Sequence, residues 1–154
     1  MIEGIAILHI ATACAALLLG AIVLFRPKGT TTHKRLGYGY AASMMVLNIT
    51  ALCLYRLTGR FNVLHIFAII SLVTLLAGIG VAVLRRPRAD WLRKHGELMC
   101  WSYTGLLSAG MAELAIRVFA PPFWITIGTI AAFVFLAAWL CIPRLTANHD
   151  AMQP

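Results

Sequence analysis

Long apolar segments alternate with short polar segments along the whole chain. A helix needs about 20 mostly apolar residues to span the hydrocarbon core of a bilayer. Five stretches satisfy this, each bounded by proline, glycine or charged residues: residues 5–25, 36–57, 63–84, 98–119 and 123–142. The pattern predicts an all-α membrane protein in which residues 1–154 form a single transmembrane domain.

The basic residues between these segments predict the orientation. The first loop, the third loop and the tail together hold ten Lys and Arg residues, whereas the opposite side holds only Arg56, Arg60 and Arg117. Cytoplasmic loops are enriched in Lys and Arg, so we expect the N-terminus outside and the C-terminus in the cytoplasm. Short loops make successive helices antiparallel neighbours. We therefore expect an up-down four-helix transmembrane bundle with a fifth, peripheral helix.

Composition agrees with a membrane location. The 154-residue chain is 61% hydrophobic and 12% charged, whereas soluble domains are about half apolar and about a quarter charged. The net charge of +8 lies in short clusters between apolar runs. A nucleic-acid-binding protein spreads such charge over one face, so nucleic acid is not an expected partner. The expected partner is the lipid bilayer.

Four histidines recur at intervals of about one membrane crossing. His9 and His65 lie near the starts of helices that begin outside, and His33 and His95 open helices that begin inside. In an up-down bundle, helices 1 and 3 face each other across the core, as do helices 2 and 4. The sequence thus offers two facing pairs, which we interpret as axial ligands of two haem b groups. His149, in the polar tail, is assigned no role.

Residues near the inner pair fit the same interpretation. Gly37 follows His33 by one turn and leaves flat space beside a ligand. Lys34 and Arg35 border the pair and supply positive charge for haem propionates. A second interpretation stays open for each histidine, because a histidine near a helix end can also lie at the membrane interface or hydrogen-bond between helices.

Glu113 is an ionisable residue inside a predicted span, which makes it a functional candidate. It follows His95 by 18 residues, or five helical turns, so we expect it to share that face and point into the bundle. Arg117 follows at i+4 and can pair with it. Either the two form an ion pair that anchors the helix end, or Glu113 accepts a proton or steers a propionate through Arg117.

Two stretches, "LHIATACAALLLGAIVLFRPKGTTTHKRLGYGY" and "HGELMCWSYTGLLSAGMAELAIR", resemble a bacterial family of small predicted membrane proteins of unknown function. The family pattern falls here on His9, on His33 through Tyr40, and on His95 through Tyr103 with Arg117. The resemblance covers about residues 5–120. It implies a multi-pass protein of the bacterial cytoplasmic (inner) membrane and carries no activity.

The histidine arrangement is also similar to cytochrome b561, a family of transmembrane di-haem electron carriers. In that family four consecutive helices each contribute one histidine, and alternating pairs hold the haems. The segment "FNVLHIFAIISL" resembles the one that carries the third histidine. The resemblance implies that His9 and His65 bind an outer haem, and His33 and His95 an inner one. This chain departs from the family in having no helix before the four and no clear ascorbate-binding motif.

Three functions are consistent with these patterns. The first is a b-type cytochrome that carries electrons across the membrane, a membrane oxidoreductase working with a quinone or another redox partner. The second is a metal-handling protein that uses the same four histidines for zinc or copper. The third is a cofactor-free accessory subunit of a larger membrane complex. A homodimer is compatible with each.

Overall fold

A computed structural model describes residues 2–54, 59, 61, 63–119 and 122–146. Its helices are α1 (Ile2–Phe25), α2 (Thr31–Cys53), α3 (Val63–Leu84), α4 (Trp91–Phe119) and α5 (Phe123–Thr146). The described residues contain no β-strand. The prediction of an all-α protein with five helices is confirmed. Arg56, Arg60 and His149 lie outside the described residues.

Four of the described helices, α1, α2, α3 and α5, are long and apolar enough to cross a membrane. At 29 residues α4 is longer, about 44 Å at 1.5 Å per residue, but Arg93, Lys94 and Glu97 make its first turns more polar. It is not among the four. That residues 98–119 span the membrane, and that the N-terminus lies outside, stay predictions.

The predicted start of α2 at residue 36 is five residues late, because a local cap begins the helix earlier. Thr30 is the N-cap, and its hydroxyl oxygen accepts a hydrogen bond from the backbone N–H of His33 at 3.1 Å. This bond satisfies a backbone donor that the first turn of a helix leaves without a partner. Gly29 precedes the cap with φ of +79°, a left-handed conformation that glycine adopts without a steric penalty.

Other predicted helix boundaries also differ from those in the structure. α4 begins at Trp91, where the backbone N–H of Lys94 donates to the carbonyl of Asp90 at 3.0 Å. α5 passes through Pro143 and ends at Thr146, whereas the sequence placed its end before that proline. α2 ends at Cys53, and predicted residues 55–57 lie outside the described part.

The chain divides into two compact units, Met1–Val73 and Thr74–Pro154. In the first unit α1 packs on α2, and the two helices approach closely where a Cβ on Gly39 would lie 3.2 Å from Leu19 Cδ1. Ala16 on α1 is completely buried. The small residues of these two helices therefore serve close helix packing.

In the second unit α4 packs on α5. Trp101 of α4 stacks on Phe135 of α5 with 5.9 Å between ring centroids. The first turns of α4 and the last turns of α5 line one cavity, so the two helices are antiparallel.

Polar and apolar side chains are distributed as in a membrane protein. Ser102, Thr104 and Ser108 are buried on α4. Phe133 and Trp139 of α5, by contrast, are 70% and 69% exposed. Large exposed apolar side chains are stable next to lipid, while small polar residues allow helices to approach and bond. The fold is that of a helical, multi-pass membrane protein.

Candidate functional site

His9 is held by a hydrogen bond between α1 and α2. Its Nδ1 lies 3.0 Å from the hydroxyl oxygen of Thr50. That hydroxyl lies 2.9 Å from the backbone carbonyl oxygens of both Val46 and Leu47, which can only accept, so its single hydrogen is shared between these two acceptors. The hydroxyl is therefore the acceptor from His9, whose Nδ1 carries the ring hydrogen. The ring lone pair is consequently on Nε2.

His65 lies in the first turn of α3, in the same unit as His9. It is 2% exposed. Phe61, four residues earlier, stacks on it with 5.0 Å between ring centroids and 30° between ring planes. Burial and stacking together limit the orientations that the imidazole ring can adopt.

His95 has the same tautomer as His9. Its Nδ1 lies 2.9 Å from the backbone carbonyl oxygen of Gly78 on α3. A carbonyl oxygen only accepts, so Nδ1 donates and Nε2 carries the lone pair. A Cβ on Gly78 would lie 2.8 Å from Met99 Sδ and 3.3 Å from Leu98 Cβ. The glycine thus permits the close approach that brings its carbonyl within reach of His95.

The residues around His33 lie at the start of α2. His33 is half-buried in the first turn, and both Lys34 and Arg35 are exposed. Gly37 is half-buried, and a Cβ there would meet no atom within 4 Å among the described residues. The role of Gly37 beside a ligand stays a prediction. The pairing of His33 with His95 stays a prediction.

Glu113 and Arg117 form the expected i,i+4 ion pair. Arg117 Nε donates to Glu113 Oε1 at 2.8 Å. The side chains are 57% and 64% exposed, so Glu113 does not point into the bundle as the sequence suggested. The buried face of α4 passes through the adjacent residue Ala112, and one residue is a rotation of about 100° around a helix. The anchoring interpretation fits this geometry better.

Two partners of the histidines were not assigned from the sequence. Thr50 lies 41 residues from His9 along the chain, and its position on α2 does not connect it to His9. Gly78 acts through its carbonyl, which every residue has. The one sequence feature that could have pointed to this contact is that Gly78 is a glycine inside an apolar helix, which often has a packing reason.

Within the described ranges, no three side chains from His, Cys, Asp and Glu come together in a way that could hold a metal ion. A closed zinc site takes four such ligands, and a catalytic one three. The metal-handling alternative therefore has no ligand cluster to support it in this part of the chain.

The fold and the polar residues between its helices define a multi-pass helical membrane protein. The chain belongs to a family described as "Predicted membrane protein (DUF2306)", whose model matches residues 6–146. This confirms the expected membership of a membrane protein family of unknown function. No curated protein and no solved structure matches the chain. Neither comparison supports the similarity to cytochrome b561, which therefore rests only on the histidine pattern and the segment around His65.

Proposed function

We propose that this protein is a b-type membrane cytochrome in which His9 and His65 would hold a haem b. The observation that supports this most directly is the hydrogen bond between His9 and Thr50. Histidines that ligate metals almost always donate their second ring N–H to an oxygen, which fixes both the tautomer and the ring orientation. His9 has this arrangement, with the lone pair on Nε2.

The protein's contribution is to hold and shield the two imidazoles. Thr50 orients the His9 ring and, as the acceptor of its N–H, makes Nε2 more basic. Burial of His65 excludes water. Exclusion of water from the ligands influences the potential of a bound group. Haem b would supply one-electron transfer, and the electron's donor and acceptor would be a quinone or another redox partner.

A second haem, with His33 and His95 as its ligands, is proposed on the sequence spacing. The hydrogen bond from His95 to Gly78 supports His95 as a ligand, since it leaves the lone pair on Nε2. Lys34 and Arg35 are exposed beside His33 and would pair with propionates. Gly37 would provide space for the ring plane. The location proposed is the bacterial inner membrane.

The test is a reduced-minus-oxidised visible spectrum of the detergent-purified protein, with a pyridine haemochrome count per chain. The wild type is expected to show b-type bands and about two haems per chain, one for each histidine pair. His9→Ala and His65→Ala should each remove one haem. His149→Ala is the matched control and should remove none.

Two results would contradict the proposal. A wild-type protein without haem, from cells that make haem, would leave the accessory-subunit function instead. Retention of the full haem count in both His9→Ala and His65→Ala would show that these two residues are not the ligands.

A further inference from the structure

A groove between α4 and α5 is lined by residues that have no part in the proposed haem sites. It contains an open cavity of about 300 Å³ lined by Glu97, Trp101, Trp139, Ile142 and Pro143. Small-molecule sites begin at about this volume. The groove therefore has room for an organic group.

The carboxylate of Glu97 is the charged group of this groove. It forms no ion pair within the part of the chain that the structure describes. The nearest basic residues along α4 are engaged with Asp90, with distances of 3.2 Å for Arg93 and 3.9 Å for Lys94. A carboxylate beside apolar groups is stabilised by a cation, and among the described residues no ion pair supplies one to Glu97.

Pro143 adds a second acceptor to the groove. A proline inside a helix has no N–H, so it cannot donate to the carbonyl four residues earlier. In α5 that carbonyl belongs to Trp139, which also lines the groove. The carbonyl oxygen of Trp139 thus lacks its usual helical donor, and Trp139 lines the same groove as Glu97.

The aromatic lining of the groove also favours a cation as its ligand. Trp101 and Trp139 both line the groove, and tryptophan is the aromatic side chain that binds cations best through its ring face. An inorganic ion would leave most of the cavity unfilled. An organic cation would fill it, with its apolar part against Ile142 and the indole rings.

The groove lies near two helix ends. Glu97 is six residues from the start of α4, and Pro143 is three residues from the end of α5. Trp side chains are enriched at the level of lipid headgroups. A ligand with an ammonium head and an alkyl chain would place its charge at the groove and its chain toward the apolar middle of α5.

We propose that the α4–α5 groove binds a primary alkylammonium group, with Glu97 and the Trp139 carbonyl accepting its N–H donors. Two sources share this chemistry, the headgroup of phosphatidylethanolamine and a free alkylamine. Both oxygens accept hydrogen bonds, which distinguishes a primary ammonium from a quaternary one that has no N–H to donate.

The first experiment titrates the full-length protein in dodecyl maltoside with hexylammonium chloride by isothermal titration calorimetry. The wild type should give saturable binding, and hexanol, which has the same chain without the charge, should not. Glu97→Gln should weaken binding at least about tenfold, as expected for a charged hydrogen bond. Trp139→Leu should weaken it about fivefold through loss of a cation–π contact. Glu113→Gln removes a carboxylate elsewhere on α4 and should bind as the wild type does.

The second experiment identifies the source. The protein is reconstituted with equal amounts of phosphatidylethanolamine and phosphatidylglycerol, extracted, and its retained lipids are counted by mass spectrometry. Preferential retention of phosphatidylethanolamine by the wild type and not by Glu97→Gln assigns the lipid headgroup. Equal retention of both lipids, together with saturable hexylammonium binding, assigns a free alkylamine.

The proposal is overturned if the wild type shows neither saturable hexylammonium binding nor a preference for phosphatidylethanolamine. It is equally overturned if Glu97→Gln binds hexylammonium as tightly as the wild type. Should Glu97→Gln fail to fold, Trp139→Leu decides by the same titration, and unchanged affinity in that variant rejects the site.

Discussion

The hydrogen bond between His9 and Thr50 leads to a quantitative prediction. Thr50→Val keeps the shape of the side chain and removes the hydroxyl. Thr50 is 6% exposed, so no water would replace the lost acceptor. Hydrogen bonds between membrane helices contribute about 0.6 kcal/mol on average and up to about 1.7 kcal/mol. We expect a destabilisation of about 1 kcal/mol, which corresponds to a Tm lower by roughly 2–4 °C for a chain of this size.

The substitution also removes bonds within α2, so the pair needs its own measurement. Thr50 donates to the carbonyls of Val46 and Leu47, and Thr50→Val loses those contacts whether or not His9 is present. A double-mutant cycle with His9→Ala cancels that loss and leaves the coupling energy of the pair. The assay is unfolding in mixed detergent micelles, followed by circular dichroism. We expect a coupling of about 0.6–1.7 kcal/mol.

A matched control is available on α5. Thr126 is nearly buried, and its hydroxyl donates to the carbonyl of Pro122 at 2.9 Å. Thr126→Val should therefore lower the free energy of unfolding only by the loss of a side-chain hydrogen bond within one helix. If the free energies of Thr50→Val and His9→Ala add without coupling, the bond does not exist in solution. Thr50 would then give no support for the His9 tautomer with its ring hydrogen on Nδ1.

Three further predictions concern other parts of the fold and can be checked by thermal unfolding in dodecyl maltoside. Gly78→Ala would place a Cβ 2.8 Å from Met99 Sδ and 3.3 Å from Leu98 Cβ. Because the Met99 side chain is flexible and can move, we expect a destabilisation of about 1 kcal/mol, the low end for overpacking. Gly80→Ala meets open space among the described residues and should be neutral or slightly stabilising. Thr30→Ala removes the N-cap of α2 and should cost about 1 kcal/mol. Glu113→Gln breaks an exposed i,i+4 ion pair, so the loss should be no more than about 0.5 kcal/mol; a larger loss would mean that this pair is covered by a partner.

Helix number and type were predictable because long apolar segments leave few alternatives. The limits of α3 were predicted without error, since clear loop residues flank Val63 and Leu84. The start of α2 was not, because its first residues are polar and were assigned to the loop. Their helical state depends on the hydroxyl of Thr30, whose effect is local and independent of hydrophobicity. The end of α5 was missed because a proline was taken as a stop.

The candidate site was predictable only in its residue types. The spacing of the histidines identified His9 and His95 as candidates, but not the groups that orient them. The partner of His9 lies 41 residues away and the partner of His95 lies 17 residues away. Such bonds depend on how two helices pack, and one of them uses a backbone carbonyl. The prediction that Glu113 points into the bundle was wrong for the same reason, because the sequence does not show which face of α4 is covered by other helices.

The first turns of α4 have two faces with separate roles, which makes the two proposals independent. His95 bonds to Gly78 on α3, while Glu97 lines the groove with Trp139 of α5. Two residues along a helix are separated by about 200°, so the side chains point to nearly opposite sides. His95→Ala should then lower the haem count and leave hexylammonium affinity unchanged, and Glu97→Gln should do the reverse. Loss of both properties in either variant would indicate that α4 had unfolded, because no shared residue connects the two sites.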